Sequence, residues 1–234
     1  MPTFASTPKN RLLAALPQDE YQRLLPHLES VQLEHAAVLY EIEEPIDYFY
    51  FPFDAVISLV AQMADGRVVE VARIGNEGVT GLAAVLGQQV SAERAIVQIP
   101  SGAARVKTSV IVNEFKLHQT LHNSFLRYAN SLMRQMAQTA ACNASHTVEE
   151  RLSRWLLMCQ DRVNSNELNL TQEFIAEMLG TRRATVNVAA VNLQSAGLIK
   201  YNRGRIRILD LDGLNASACE CYAAAKKELP EQGL

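Results

Sequence analysis

A chain of 234 residues is long enough for two domains, each with its own core. Its hydrophobic content of 48% and charged content of 20% are ordinary for a soluble globular protein, and no uncharged apolar run reaches the roughly 18 residues needed to span a bilayer. The formal net charge is −3, so any surface that grips an anion must be a local one.

The first ten residues, MPTFASTPKN, lack the basic end and apolar core of a signal peptide and read as a short disordered lead-in. Residues 10–28 form a small helical lead with Leu12, Leu13, Leu16, Leu24, Leu25 and Leu28 as apolar contacts. From about residue 31 to 110 short β-rich runs alternate with turn signals: 38–40, 48–51, 56–60, 68–72, 95–99 and 103–106. Asp65-Gly66 is a hairpin signal, and Pro100-Ser101-Gly102 marks another turn. Many short strands at this spacing predict a small sandwich or barrel.

A long helix is predicted over 111–146. Leu121, Phe125, Tyr128, Leu132, Met136 and Thr139 fall at steps of three and four, the stripe of a parallel coiled coil. They are the candidate dimer interface; the alternative is a helix packed on its own barrel. A second helix over 148–163 carries Trp155, the sole tryptophan, as the expected anchor of a C-terminal core. Asn164-Ser165-Asn166 makes a loop.

Residues 171–199 read as two short helices joined at Gly180. Ile175, Ala176 and Leu179 give the first its apolar face; Val186, Ala190 and Leu193 give the second. Thr171 and Thr181 occupy expected N-cap positions. Gly180, four residues after Ala176, permits a sharp turn and a close helix crossing. This is the pattern of a helix-turn-helix, whose second helix enters the DNA major groove N-terminus first. Residues 198–201 then form an apolar strand, Asn202-Arg203-Gly204 a turn, and residues 205–209 alternate basic with apolar, so a β-hairpin wing is predicted. No Asp or Glu occurs between Met178 and Leu209, whereas Arg182, Arg183, Lys200, Arg203, Arg205 and Arg207 do. That local charge suits a phosphate backbone.

This order of elements resembles the Crp/Fnr family of bacterial transcription regulators. The resemblance is most specific at residues 170–176, 179–186 and 193–199 and looser at Ile74-Gly75-Asn76-Glu77-Gly78 and Gly81-Leu82. It implies an α+β chain: an N-terminal double-stranded β-helix (a cyclic-nucleotide-binding-like β-roll), a long dimerisation helix and a C-terminal winged helix-turn-helix. The implied domains are an effector-sensing β-roll with helical lead at 1–110, a dimerisation helix at 111–146 and a DNA-binding domain at 147–234. It implies a non-enzymatic homodimer that binds double-stranded DNA at an inverted repeat, works with RNA polymerase and resides in the cytoplasm. Candidate DNA-binding residues are Thr171, Thr181, Arg182, Arg183, Ala184, Thr185, Asn187, Arg203 and Arg205. Arg183 is kept from the family pattern and suits guanine O6 and N7; the family's usual Glu and second Arg have become Ala184 and Val188. A different target site follows, with Asn187 suited to adenine and Ala184 to a thymine methyl.

The effector pocket departs further. Members that bind cyclic AMP use a Gly-Glu pair and an Arg-Ser-Ala element; this chain has Gly78-Val79-Thr80-Gly81 and Glu93-Arg94-Ala95. Cyclic AMP is therefore not the expected effector, and another nucleotide stays open. Candidate effector residues are Glu77, Gly78, Thr80 and Arg94, with a turn role the alternative for Glu77 and an exposed strand position for Arg94.

No metal site is expected. Cys142, Cys159, Cys219 and Cys221 are late and unevenly spaced, which argues against a disulfide framework and fits a reducing compartment. Iron–sulfur members carry N-terminal cysteines that this chain lacks. Cys219 and Cys221, two apart on an expected helix, would not face each other. His118 and His122 are four apart with no third ligand nearby in sequence. No histidine lies between His35 and His118, which weakens the other open reading, a barrel enzyme with a helical assembly tail. A regulator that needs no effector is the remaining alternative.

Overall fold

The computed structural model describes residues 8–88 and 90–228, so residues 1–7 of the expected lead-in lie outside it. The described residues fall into two compact units, one running to Leu59 and resuming over Ala72–Arg134, the other made of Val60–Val71 and Gln135–Glu228.

In the first unit the helical lead is α1 (Arg11–Ala14), α2 (Gln18–Leu24) and a 3-10 turn, Leu25–His27. Asn10 is fully buried and works twice. Its Oδ1 accepts the Leu13 N–H at 3.1 Å as the cap of α1, while its amide donates to the Pro52 and Gly78 carbonyls at 3.0 and 2.8 Å. One capping residue thus ties the lead to the β-roll.

Seven strands follow: β1 (Glu29–Leu33), β2 (Val38–Tyr40), β3 (Tyr48–Pro52), β4 (Val56–Gln62), β5 (Val68–Ile74), β6 (Arg94–Ile99) and β7 (Ser101–Lys107). They form a three-stranded sheet, β1-β7-β3, and a four-stranded sheet, β2-β6-β4-β5. All six predicted runs lie in strands. β1 is not among the predicted runs, because Glu29-Ser30-Val31-Gln32-Leu33 is mostly exposed and offers only two apolar residues, Val31 and Leu33, too short an alternation to stand out. Its pairing with β7, Glu29 opposite Arg105 through Leu33 opposite Ser101, makes it a strand. The short helix α3 (Leu82–Val85) sits between β5 and β6.

The long helix is interrupted. It runs as α4 (Thr108–Leu117) and α5 (Gln119–Ser145), with His118 extended at φ −123 and ψ 113. The buried Glu20 carboxylate accepts the Leu121 N–H at 2.9 Å, satisfying one of the donors that a helix start leaves open.

The face assigned to α5 also needs correction. Leu121, Phe125, Tyr128 and Leu132 are 0, 1, 5 and 7% exposed. The Phe125 ring lies 6.0 Å from Phe49, 6.5 Å from Phe51 and 6.2 Å from Phe115. These residues, expected in a dimer seam, are core of their own unit. Each such side chain is worth roughly 1.5–3 kcal/mol when buried, so the helix does not turn this face to a partner. Met136 and Thr139 are half-buried. Leu126 and Met133, 41 and 62% exposed, lie on the opposite face.

The second unit holds α6 (Val148–Val163), β8 (Glu167–Asn169), α7 (Gln172–Met178), α8 (Arg183–Ser195), β9 (Ile199–Asn202), β10 (Arg205–Ile208), α9 (Leu211–Ala216) and α10 (Cys221–Glu228). Thr147 and Glu150 form a reciprocal capping box at the start of α6. The Thr147 hydroxyl, then its N–H, hold the Glu150 carboxyl below the usual range. Trp155 is buried, and its Nε1–H donates to Glu70 Oε1 at 3.2 Å. No helix among the described residues is long and apolar enough to cross a membrane.

Candidate nucleic-acid interface

The α7–α8 pair is set by local chemistry. Thr171 caps α7, its Oγ1 accepting the Phe174 N–H at 3.2 Å. Thr181 does not cap α8: Arg182 holds that position, at φ −82 and ψ 143, without a side-chain cap. The turn is therefore one residue longer than the threonine spacing predicts. Gly180 lies at φ +59, and a Cβ there would sit 2.7 Å from Val69 Cγ2. The close approach that requires glycine is thus made by a β5 side chain within the same unit. Gly180→Ala is expected to lower unfolding stability by about 1–3 kcal/mol, through left-handed strain and overpacking together. Gly197, at φ +76 with open space around it, is the comparator, since its alanine variant carries only the strain. Urea titration of both variants checks the difference.

Helix α8 has two distinct faces. Val186, Ala189, Ala190 and Leu193 are buried. Arg182, Arg183, Ala184, Thr185 and Asn187 are exposed, and Thr181 is half-buried. Val188 and Val191 are 60 and 50% exposed, unusual for valine on a helix with a core to pack against. An exposed valine pair suits the methyl groups of thymine. Val191 was not singled out from sequence, because a valine in a helical pattern reads as core.

The wing is a hairpin of β9 and β10 with a two-residue turn, Arg203 at φ 46 and Gly204 at φ 81, both left-handed as a type I′ turn requires. β8 joins it as a third strand, order β8-β10-β9. Arg203 and Arg205 are exposed, while Ile206 and Ile208 alternate inward. Between α7, α8 and the wing lies a groove of about 620 Å³ bordered by Thr171, Gln172, Arg183, Asn187, Tyr201 and Arg203. Burial raises the Tyr201 phenol, and its hydroxyl donates to the Leu170 carbonyl at 3.4 Å.

Acid residues do reach this surface, from segments outside the acid-free stretch. Glu173 borders the groove, and its Oε2 lies 3.8 Å from Arg183 Nη1, both side chains 68% exposed. Such an exposed pair is worth about 0–1 kcal/mol and yields readily to a better partner. Arg207 is paired with Glu167 of β8 and contributes less free charge than its sequence suggests. Asn187 Oδ1 accepts from Gln172 Nε2 at 2.9 Å, so the amide expected to read a base is oriented by α7. Arg182, Arg183, Ala184, Thr185 and Asn187 share the open side of one helix, with Thr171, Arg203 and Arg205 beside it on α7 and the wing.

The effector candidates are each engaged within the first unit. Glu77 is buried, and its Oε1 accepts the Gly75 N–H at 3.2 Å, the turn role. A side chain at Gly78 would overlap the Tyr128 ring. Thr80 is fully buried, its Oγ1 accepting the Tyr50 N–H at 3.1 Å. Arg94 Nε donates to Glu41 Oε2 at 2.7 Å, so its charge is already matched.

The histidine and cysteine expectations divide. His118 pairs with Glu114 at 3.3 Å, while the His122 ring stacks on Phe115 at 4.2 Å, so the two rings are engaged by different neighbours. Cys219 and Cys221 are not on one helix. Cys219 precedes α10 in the turn after α9, which frees both sulfurs to point the same way and removes the objection to a shared metal. Burial pushes the Cys142 and Cys219 thiols above their ordinary range.

Residues 150–217 match the model of the Crp-like helix-turn-helix domain. No curated protein matches the chain. Among solved structures, FixK2 of Bradyrhizobium japonicum is similar, at 18% identity and a TM-score of 0.70, over 82% of this chain and 98% of that one. A Crp/Fnr-family regulator from Eubacterium rectale matches at 17% identity and 0.68, over 89 and 97%. The c-di-GMP-responsive global regulator CLP of Xanthomonas campestris matches at 13% identity and 0.68, over 83 and 100%. These likenesses show one fold through most of the chain.

Proposed function

We propose that this Crp/Fnr-type transcription regulator, with its helix-turn-helix DNA-binding domain, acts as a homodimer on an inverted-repeat DNA site. The observation that carries the reading is the exposed row Arg182, Arg183, Ala184, Thr185 and Asn187 at the leading end of α8, flanked by Arg203 and Arg205 of the wing. Arg183 reads a guanine in each half-site, and Asn187, Ala184, Val188 and Val191 supply contacts to A·T pairs. Thr171, Thr181, Arg182, Thr185, Arg203 and Arg205 hold phosphates and fix register.

The dimer seam is the exposed stripe of α5: Leu126, Asn130, Met133, Ala137, Ala140 and Ala144. Its steps of four and three give the 3.5-residue repeat of a two-stranded coil, and its alanines let two helices approach closely. The functional division is a sensing part at 1–110, a dimerisation helix at 111–146 and a DNA-binding part at 147–234. In the cytoplasm the dimer works with RNA polymerase.

The β-roll answers an effector other than cyclic AMP, binding one of two states better than the other. The Arg94–Glu41 pair supports the exclusion, since Arg94 has no unmatched charge for a cyclic phosphate. That a similar regulator, CLP, is c-di-GMP-responsive supports a nucleotide of another kind. The same internally satisfied polar groups also favour a second reading, a regulator active without any effector. Affinity of dialysed protein for DNA, with and without cell extract, separates the two.

Fluorescence anisotropy on labelled DNA tests DNA binding itself. Log affinity falls linearly with log salt, by about 0.9 per phosphate neutralised. Glu173→Gln frees Arg183 from its competing partner and removes a negative charge from the groove. It is expected to tighten binding by roughly 2- to 5-fold at low salt. Unchanged or weaker binding would mean that Glu173 orients Arg183 and does not compete for it.

A further inference from the structure

We propose that Cys142, His146, Cys219 and Cys221 form a binding site for one Zn²⁺ ion. Cys142 and His146 stand one turn apart at the end of α5, and Cys219 and Cys221 flank Glu220 at the entry to α10. Their four ligand atoms all lie within 4.8 Å of one another. Cys142 Sγ is 3.5 Å from Cys219 Sγ, and Cys221 Sγ is 3.6 Å from His146 Nδ1. A tetrahedral zinc ion with bonds of about 2.3 Å to sulfur and 2.0 Å to nitrogen spaces its ligands by about 3.5–3.8 Å. The spacing is therefore that of a single ion, and too tight to enclose a multi-iron cluster.

Three further observations belong to such a site. His146 presents Nδ1 to Cys221 and turns Nε2 toward Glu220 Oε2, 3.2 Å away, the carboxylate partner that orients a metal-bound imidazole. Gln138 Nε2 donates to Cys221 Sγ at 3.0 Å, a bond that favours the thiolate. Arg151 and Arg154 are 7 and 3% exposed, with both Nε atoms lacking a hydrogen-bond partner and no carboxylate paired to either among the described residues. Both act electrostatically on the thiols, Arg154 on Cys142 and Arg151 on Cys142 and Cys219. Two buried cations beside neutral thiols are unbalanced. Beside three thiolates and a zinc ion, whose sum is −1, they are partly matched. Each cysteine binds as thiolate and gives its proton to solvent.

A Cys142–Cys219 disulfide explains less. Its sulfurs would have to close from 3.5 Å to about 2.05 Å, and it gives no role to Cys221 or His146. The ion would fasten the α9–α10 segment to the end of α5 within the second unit, closing a loop of more than seventy residues around the helix-turn-helix.

The test uses the full chain, purified under reducing conditions, stripped with chelator and titrated with Co²⁺. One equivalent is expected to bind, with the visible bands of a tetrahedral ion and a thiolate charge-transfer band in the near-ultraviolet, both bleached by one equivalent of Zn²⁺. Cys219→Ser and Cys221→Ser should each lose the charge-transfer intensity of one thiolate, and Cys159→Ser, outside the cluster, should keep the spectrum. The titration needs only the wild-type protein, so a variant that fails to fold leaves the result decisive. Reduced wild-type protein that gives no tetrahedral cobalt spectrum overturns the proposal, as does a spectrum that survives both serine variants.

Discussion

Replacing Arg183 with alanine is expected to weaken binding to the specific site by roughly 30-fold to 10⁴-fold while leaving affinity for random DNA within a few-fold. One bidentate arginine–guanine contact is worth about 1–3 kcal/mol of discrimination, and a two-fold site loses it twice, about 2–6 kcal/mol in all. The side chain is free to make that contact. It is 68% exposed, and its ion pair with Glu173, at 3.8 Å, is loose. Arg182, its exposed neighbour, is the control: its alanine variant should weaken specific and random DNA alike and flatten the salt dependence. Anisotropy titrations on matched and scrambled duplexes distinguish the two. If Arg183→Ala reduced both affinities equally, Arg183 would be a phosphate contact and the base reading would lie elsewhere on α8.

Met133→Glu is expected to convert the dimer to monomer and to cost about 10²- to 10⁴-fold in affinity for the inverted repeat. Met133 is 62% exposed, the most exposed large apolar residue of α5, and stands midway along the stripe. In a two-fold coil the substituted carboxylate faces its own copy, so two like charges must lose water together. A monomer keeps one half-site contact and forfeits the gain from having its second reader held in place. Sedimentation velocity reads the oligomeric state directly. Leu209→Glu, at a residue 55% exposed but off this helix, should stay dimeric. A monomeric Leu209→Glu, or a dimeric Met133→Glu, would move the seam away from α5.

The helix-turn-helix and its wing were legible because the signals there are local. Thr171 caps α7, Val186, Ala190 and Leu193 face inward, and Arg203-Gly204 makes the turn, each within a few residues of its partner. The face of α5 was not legible. Leu121, Phe125, Tyr128 and Leu132 show the heptad of a coiled coil, but a helix lying on its own sheet shows the same steps. The outward stripe, mostly alanine beyond Met133, gives almost no hydrophobic signal. The start of α5 after the break at His118 is capped by Glu20, 101 residues from Leu121, and no short window along the chain contains both. The Cys–His cluster was hidden similarly. Cys142 and Cys219 are 77 residues apart, and the turn that lets Cys219 and Cys221 converge lies where a continuous helix was expected.

Selection of bound duplexes from a random pool, followed by footprinting of the recovered site, tests the central claim most directly. The account predicts an inverted repeat with half-site centres about 34 Å apart, one helical turn, and a guanine in each half that loses its preference in the Arg183→Ala protein. Recovery of no enriched sequence, or of a single half-site bound equally well by Met133→Glu protein, would contradict it.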